Sequence, residues 1–179
     1  MITTYKASVK EAELLTELAR NIYREHYLHL WHPGGAEWYM EEYAYARGKI
    51  EMELADPNIE YFIAVENGAN AGYIKLVLSV PLADNTMTTA LEVERIYLHT
   101  ICMGKGIGKR LMELAHERAR ELKRDIVLLK AMDSATPAIS FYTTLGYTIS
   151  GNLELPMPDF ALMKKEYRGM VTLTRKVMG

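Results

Sequence analysis

The sequence of 179 residues is poor in cysteine, in long apolar runs and in clustered charge of one sign. Its single cysteine, Cys102, cannot form an intrachain disulfide, which favours a reducing compartment. The apolar runs are much shorter than a membrane span, and the first residues lack the pattern of a secretory signal. The formal net charge is -2 and Lys and Arg form no long run, which disfavours bulk binding to nucleic acid or membranes. We therefore expect a cytoplasmic protein without nucleic-acid or membrane partners.

The chain contains instead a succession of helix and strand patterns that no repeat, low-complexity tract or linker divides. Apolar spacing predicts helices over residues 9–27, 36–54, 107–122 and 136–145. Alternating or β-branched runs predict strands over residues 2–7, 61–65, 71–80, 91–98, 126–131, 147–155 and 169–177, with a polar connection over residues 81–89. The sequence thus predicts an α/β (α+β) fold: one domain over residues 1–179, with a mixed central sheet of about six to seven strands flanked by helices.

The most informative segment is the glycine loop, Met-Gly-Lys-Gly-Ile-Gly at residues 103–108, between a predicted strand and a predicted helix. Glycines without Cβ atoms let backbone amides approach an anion, and a helix start adds unpaired N–H groups and the positive end of its dipole. The segment therefore predicts a phosphate or pyrophosphate site. Arg110 follows Lys109 where a Walker loop needs Ser or Thr, and the glycine spacing differs from that of a dinucleotide fingerprint. A glycine-rich turn without a ligand is the alternative.

Two linked motifs carry a resemblance to a known family. Residues 94–98 read Glu-Arg-Ile-Tyr-Leu, the glycine loop follows, and residues 138–147 read Ala-Ile-Ser-Phe-Tyr-Thr-Thr-Leu-Gly-Tyr. Together they resemble the GNAT acyl-CoA N-acyltransferase superfamily, whose loop motif is Gln/Arg-x-x-Gly-x-Gly/Ala and whose later signature is Ala-hydrophobic-x-Phe-Tyr-x-x-x-Gly-Phe/Tyr. The resemblance covers nearly the whole chain. Met103 stands where the family usually has Gln or Arg, and Ala135 stands where many members have Asn.

The resemblance implies an N-acetyltransferase that uses acetyl-CoA, without a metal, and transfers the acetyl group directly in a ternary complex. The pantetheine arm would lie along residues 96–98, and the pyrophosphate would lie on the glycine loop. Homodimers are frequent in the superfamily, so a homodimer is also expected. The residues implied to contact coenzyme A are Ile96, Tyr97, Leu98, Met103, Gly104, Lys105, Gly106, Ile107, Gly108, Lys109, Asp133 and Tyr142.

Tyr142 falls on the general-acid position of the resembled family. From the start of a short helix, its phenol could donate a proton to the departing thiolate. A buried tyrosine with a satisfied hydroxyl is the alternative interpretation.

Glu94, with Glu92 as the second choice, is expected to assist deprotonation of the amine. Strict alternation along the strand would place both glutamates on one side together with Ile96 and Leu98, facing the thioester. The alternative is that these acids only pair with basic neighbours such as Arg95 and Lys75.

The acceptor is expected to be a primary amine, either a small molecule such as a polyamine or a peptide or protein amine. Aromatic residues are frequent over residues 23–45, and Tyr27, Trp31 and Trp38 are the candidates to contact the acceptor by aromatic and cation–π interactions. Acids at positions 37, 41 and 42 would attract positive charge. A core or dimer contact is the alternative role for this segment.

The histidines at positions 26, 29 and 32 complete no familiar zinc pattern, so no metal site is expected. The rival to the enzyme is a non-catalytic acyl-CoA-binding sensor or regulatory module. Such a module would retain the fold and the glycine loop without turnover.

Overall fold

The computed structural model of the protein describes residues 1–82 and 89–178. The helices are Ala12–His26 (α1), Gly35–Trp38 (α2), Arg47–Ala55 (α3), Ile107–Glu121 (α4) and Thr136–Thr144 (α5). The strands are Ile2–Lys6 (β1), Ile59–Glu66 (β2), Ala69–Pro81 (β3), Thr89–Leu98 (β4), Ile126–Met132 (β5), Thr148–Glu154 (β6) and Gly169–Lys176 (β7). The predicted α/β (α+β) fold is confirmed. Residues 83–88 of the predicted polar connection lie outside the described residues.

The strands form one mixed sheet in the order β1-β2-β3-β4-β5-β7-β6. Neighbours are antiparallel except for β4 and β5, which are parallel. The hairpin between β2 and β3 turns at Asn67 and Gly68, whose φ angles are 51° and 85°. That pair of positive φ angles is what a two-residue turn between antiparallel strands requires.

The two faces of the sheet pack differently. We call the face covered by α4 the α4 face; its core is mainly aliphatic, with Ile74, Leu76, Leu91, Val93, Leu111, Val127 and Leu129. We call the face covered by α1, α2 and α3 the aromatic face; its core includes Ile22, Tyr23, Trp31, Tyr45, Tyr61 and Tyr73. Both α1 and α4 carry apolar residues at helical spacing, which supplies the stripe that each buries against the sheet.

The prediction of one helix over residues 36–54 is wrong, because the chain breaks between α2 and α3. The break consists of a wide π-helical turn, Tyr39–Tyr43, followed by Ala46 in an extended conformation. Arg20 of α1 explains how the break is stabilised, since its Nε donates to the carbonyls of Met40 (3.2 Å) and Tyr45 (3.1 Å). These carbonyls accept from a side chain of a neighbouring helix, so the interruption leaves them satisfied.

Candidate active site

A β-bulge at Glu94 divides β4 into two parts. On β3, Lys75 lies opposite Arg95, whereas the next residue, Leu76, lies opposite Val93. Glu94 is therefore the extra residue and has no partner on β3. A bulge of this kind redirects side chains and interrupts the ladder of backbone hydrogen bonds.

The bulge also reverses the alternation of β4. Val93 before the bulge and Ile96 after it both pack on the α4 face, whereas Tyr97 packs on the aromatic face. Glu92 alternates with its neighbour Val93 and so points to the aromatic face. The sequence predicts that one side of the strand carries Glu92, Glu94, Ile96 and Leu98. This prediction is wrong, because Ile96 and Leu98 lie on the α4 face.

Beyond the bulge, β4 and β5 separate. Their parallel pairing runs from Ala90 opposite Ile126 to Val93 opposite Leu129, and within the described residues no later pair joins them. Each strand continues along its other neighbour, β4 along β3 and β5 along β7. Residues 94–97 consequently present free backbone N–H and C=O groups toward the gap, whereas the carbonyl of Leu98 accepts from His26. An extended chain with amide groups can add to such an edge as a further strand.

The glycine loop lies just beyond this edge. Gly104 and Gly106 have φ angles of 73° and 82°, and a Cβ added at either position would meet no atom within 4 Å. Gly106 is the N-cap of α4, and no side chain in the described part of the chain caps this helix end. The amides of Ile107, Gly108 and Lys109 therefore form a candidate anion site at the positive end of the helix dipole, and their contact with a phosphate stays a prediction.

The basic side chains of the loop are held by acids. Lys105 Nζ lies 2.8 Å from Oε2 of Glu66, and Lys109 Nζ lies 3.8 Å from Oε1 of Glu113. The hydrogen bond from Lys105 also lowers the pKa of Glu66. Met103 is exposed and its thioether carries no charge. The anion site is thus formed mainly by the backbone, and contacts of these side chains with coenzyme A stay predictions.

Tyr142 of α5 packs in the core of the α4 face. It is 9% exposed and packs against Phe141 and Tyr147 at ring-centroid distances of 5.2 and 6.2 Å. Burial, and then the Tyr27 hydroxyl, raise the pKa of Tyr142 well above its ordinary value, so the phenol stays protonated at neutral pH. Tyr27 lies on the aromatic face, where its ring contacts that of Tyr97 at 5.4 Å. The two tyrosines therefore approach the end of β4 from opposite faces.

Glu94 belongs to a network of charged side chains on the aromatic face. Lys75 Nζ contacts a carboxylate oxygen of Glu94 and lies 2.8 Å from Oε1 of Glu53. Arg95 Nη1 lies 3.6 Å from Glu94 and 3.8 Å from Glu53. Burial alone would raise the pKa of Glu94, but Arg95 and Lys75, together with Lys49, outweigh burial and lower it. The Glu94 carboxylate is therefore ionised at neutral pH, and its side chain is 36% exposed.

Glu92 has a different partner. Its Oε1 lies 2.7 Å from Nζ of Lys130 on β5, and its side chain is largely buried. The pairing crosses the part of the sheet where β4 and β5 are still hydrogen-bonded. Glu92 thus lies before the bulge and the gap, and its catalytic role stays a prediction, as does that of Glu94.

The predicted acceptor contacts lie in unlike environments. Trp31 is 5% exposed, and its Nε1 donates to the hydroxyl of Tyr23 at 2.8 Å, as in a core residue. Trp38 is half-buried, with its ring centroid 4.9 Å from that of Tyr43. Tyr27 is also half-buried, and burial raises its pKa to about 12. Tyr27 and Trp38 keep an accessible edge, whereas Trp31 supports them from within.

Asp133 is exposed just beyond β5, on the far side of the gap from β4. Its backbone N–H donates to the carbonyl of Gly169 at 3.0 Å, and its carboxylate lies so close to Gly169 that a Cβ there would collide with it. The absence of a Cβ at Gly169 therefore leaves the space that this carboxylate occupies. The predicted contact of Asp133 with coenzyme A stays a prediction.

The histidines of the predicted segment do not converge on a metal. His26 Nε2 donates to the carbonyl of Leu98 at 2.9 Å, and the ring of His29 contacts that of Tyr167. Over residues 1–82 and 89–178, no group of three or more His, Cys, Asp or Glu side chains is placed to hold a metal. Over the same ranges, no helix has the length and apolarity needed to cross a membrane.

A free strand edge leads toward an uncapped helix start in this protein, and solved structures share its fold. The PaiA N-acetyltransferase of Thermoplasma acidophilum in complex with coenzyme A superposes with a TM-score of 0.75 at 20% identity, over 98% of this chain and 99% of that one. This likeness shows a common fold.

A family model described as the acetyltransferase (GNAT) family matches residues 17–147. The chain therefore belongs to the acetyltransferase (GNAT) family, and the resemblance seen in the sequence is confirmed. The predicted class, an acyltransferase, is confirmed at the level of the family, and the predicted acetyl-CoA agrees with the coenzyme A in the Thermoplasma structure.

Two curated relatives are similar over part of the chain. An uncharacterized N-acetyltransferase in the pepI 3' region of Lactobacillus delbrueckii subsp. lactis is 32% identical over 100 residues, which are 56% of this chain and 58% of that protein. The aminoalkylphosphonate N-acetyltransferase of Salmonella typhimurium is 27% identical over 106 residues, which are 59% of this chain and 68% of that protein. The match thus spans little more than half of the Lactobacillus relative.

The sequence reasoning gave the pairing of Glu94 with Arg95 and Lys75 only as an alternative; the structure shows this pairing, and what the sequence reasoning missed is that Glu53 extends it into a buried network. Two signals for it were present: the adjacent pair Glu94-Arg95 in an otherwise alternating strand, and Lys75 in the middle of an apolar run. Glu53 gave no local signal, because its importance arises only when α3 packs on the sheet.

Proposed function

We propose that this protein is an N-acetyltransferase that transfers the acetyl group of acetyl-CoA to a primary amine by direct transfer in a ternary complex. The observation that carries the proposal is the free edge of β4 over residues 94–97, which leads toward the uncapped glycine loop. A thioester with an extended amide-containing arm and a pyrophosphate needs both features, one for the arm and one for the anion. Membership of the acetyltransferase (GNAT) family supports the same activity.

Coenzyme A would supply an activated thioester, and the protein would supply positioning and proton transfer. A backbone N–H near the bulge would stabilise the developing oxyanion. Tyr142, kept protonated by burial, would donate to the leaving sulfur. Glu94, ionised and partly exposed, would accept the proton of the amine directly or through water. Glu92 is the less favourable base because Lys130 and burial restrict it.

The acceptor that we propose is a primary amine, a polyamine or another small amine, or a peptide or protein amine. The accessible edges of Tyr27 and Trp38 and the exposed acids Glu37, Glu41 and Glu42 support an ammonium group at this entrance. The name of the Salmonella relative supports adding amines that carry a phosphonate to the candidates.

We also propose that residues 1–179 form one N-acetyltransferase domain that acts in the cytoplasm as a homodimer. The Thermoplasma structure supports a single domain because the likeness covers 98% of this chain. Light scattering of the purified protein tests the dimer, and a monomer at assay concentrations would contradict it.

Calorimetric titration with acetyl-CoA, followed by a thiol-release assay over a panel of amines, tests the activity. The panel contains polyamines, amino acids, aminoalkylphosphonates and peptides with a free amino group. We expect binding together with amine-dependent release of thiol. Binding without release for any amine would favour the non-catalytic sensor, and absence of binding would contradict both functions.

A further inference from the structure

A buried lysine connects α3 to the bulge. Lys75 lies in the middle of β3, its side chain is only 3% exposed, and it stands opposite Arg95. An ammonium group in such a place is strongly unfavourable unless it is paired and hydrogen-bonded. Its two partners are Glu53 on one side and Glu94 on the other. Simple packing of β3 would be served equally well by an apolar residue.

Glu53 is itself firmly held. Its Oε1 accepts from Lys75 at 2.8 Å, and its Oε2 accepts from the hydroxyl of Tyr61 at 2.5 Å. Both carboxylate oxygens are therefore engaged, and neither can turn without breaking a buried hydrogen bond. Lys75 is thereby fixed in position by α3 and β2, and its remaining contact is with the partly exposed Glu94.

We propose that Lys75 is a positioning residue: seated on Glu53, it fixes the carboxylate of Glu94 at the bulge, where the free edge of β4 begins. The inference rests on the proposed function, in which Glu94 takes the proton of the acceptor amine. Without Lys75, a glutamate that is 36% exposed could rotate into solvent and away from the thioester. A misplacement of a reacting group by about 1 Å can slow a reaction about 100-fold.

The charges that face Glu94 set the direction of the expected change. They are Lys75 from β3, Arg95 from its own strand, Lys49 and Glu53 from α3, and Tyr39 from the π-helical turn. Removal of Lys75 deletes one of the cations that lower the pKa of Glu94, so this pKa rises. Because Glu94 acts in its ionised form, activity is then lost at a higher pH on the acid side of the profile.

Two variants separate positioning from folding. Lys75→Met alone leaves Glu53 as a buried charge without its main partner, which is strongly destabilising. The double variant Glu53→Gln/Lys75→Met removes both buried charges, and Gln can still accept the hydrogen bond from Tyr61. Lys6→Met is the matched control, because Lys6 is bonded to the buried Glu60 at 2.7 Å. Glu60 also binds Arg118 of α4, so this pair lies on the α4 face, opposite to Glu94.

The experiment measures the pKa of Glu94 by NMR titration of protein with ¹³C-labelled glutamate, with the signal assigned by its loss in Glu94→Gln. It also measures kcat/KM for the acceptor against pH and the Kd for acetyl-CoA. The double variant removes both the Lys75 cation, which contacts Glu94, and the Glu53 anion, which does not; the nearer cation dominates, so we expect a net higher pKa of Glu94. We also expect an acid limb displaced to higher pH, about a tenfold lower kcat and an unchanged Kd for acetyl-CoA. Lys6→Met should match the wild type in all four quantities.

Equal pKa values of Glu94 in the wild type, the double variant and Lys6→Met would overturn the inference, and so would a shifted pKa with an unchanged acid limb. The titration needs no turnover. Failure of the proposed function is therefore seen separately, as absence of thiol release by the wild-type protein for every amine in the panel.

Discussion

The two faces of the sheet have cores of different residue types. On the α4 face the core is mainly aliphatic, and one of its buried polar side chains, His116, is bonded to Tyr147 at 2.8 Å. On the aromatic face, tyrosines surround a network of Glu53, Lys75, Glu94 and Arg95. The α4 face adjoins a loop whose binding groups are backbone amides, whereas the aromatic face presents side chains. The first arrangement suits a donor with a constant structure, and the second allows the acceptor to differ from one relative to another.

The largest expected effect tests whether a side chain of the α4 face, Tyr142, takes part in the reaction. Tyr142→Phe removes the hydroxyl that we propose as the general acid and should lower kcat about 100-fold or more. The Kd for acetyl-CoA should not change, because the ring and its packing remain. Tyr147→Phe is the matched control: its ring lies 6.2 Å from that of Tyr142, and its hydroxyl binds His116 rather than the gap. Equal effects of both variants on kcat would contradict the assignment.

The next effect concerns the stability of the α4 face in acid. Burial, with Arg175 and Arg120, lowers the pKa of His116 to about 4. An unfolded chain takes up this proton near the ordinary pKa of about 6.5, so stability falls as the pH drops from there toward 4, by at most about 3 kcal/mol. Urea denaturation at pH 7 and pH 4.5 should show a smaller loss for His116→Gln than for the wild type. The exposed His32→Gln should behave like the wild type, and parallel losses in all three proteins would contradict the linkage.

Much of the fold and of the proposed donor site could be predicted from the sequence. The apolar periods of strands and helices can be read from short stretches of sequence. The glycines of the loop likewise indicate its backbone conformation, since Gly104 and Gly106 adopt positive φ angles. The loop therefore predicts an anion site without knowledge of its surroundings. The family motifs then relate this loop to Tyr142 and to β4, and family membership agrees with that relation.

The aromatic face could not be predicted in the same way. The bulge at Glu94 depends on the pairing of β3 with β4, and strict alternation along the strand wrongly put Ile96 and Leu98 on the same face as the two glutamates. The break between α2 and α3 is stabilised by Arg20, which lies about twenty residues earlier in the sequence. The local sequence around the break therefore does not reveal this contact. Trp31 and Trp38 are similar in sequence context, and only the tertiary structure separates a core ring from an accessible one.

A smaller effect tests whether the backbone amides of the glycine loop bind the cofactor. Gly106→Ala puts a Cβ at a φ angle of 82° and into the open space above the loop, and it should raise the Kd for acetyl-CoA about tenfold. Gly34→Ala imposes a comparable strain, with φ at 85° and open space around it, at the start of α2 on the aromatic face. It should lower stability to a similar extent and leave the Kd unchanged. Equal Kd values for the two variants, measured by calorimetry, would show that the loop does not bind the cofactor.

The smallest effect compares two tryptophans of the aromatic face, one accessible and one in the core. Trp38→Ala removes an accessible ring and should raise the KM for the acceptor about fivefold, as expected for one cation–π contact of about 1 kcal/mol. Trp31→Phe keeps a core ring but removes the hydrogen bond to Tyr23, and it should lower the free energy of unfolding by about 1 kcal/mol without changing that KM. Steady-state kinetics and urea denaturation of both variants check this division. If Trp31→Phe changes the acceptor KM as much as Trp38→Ala does, the aromatic face acts as one unit, and the separation of a supporting core from a binding surface is wrong.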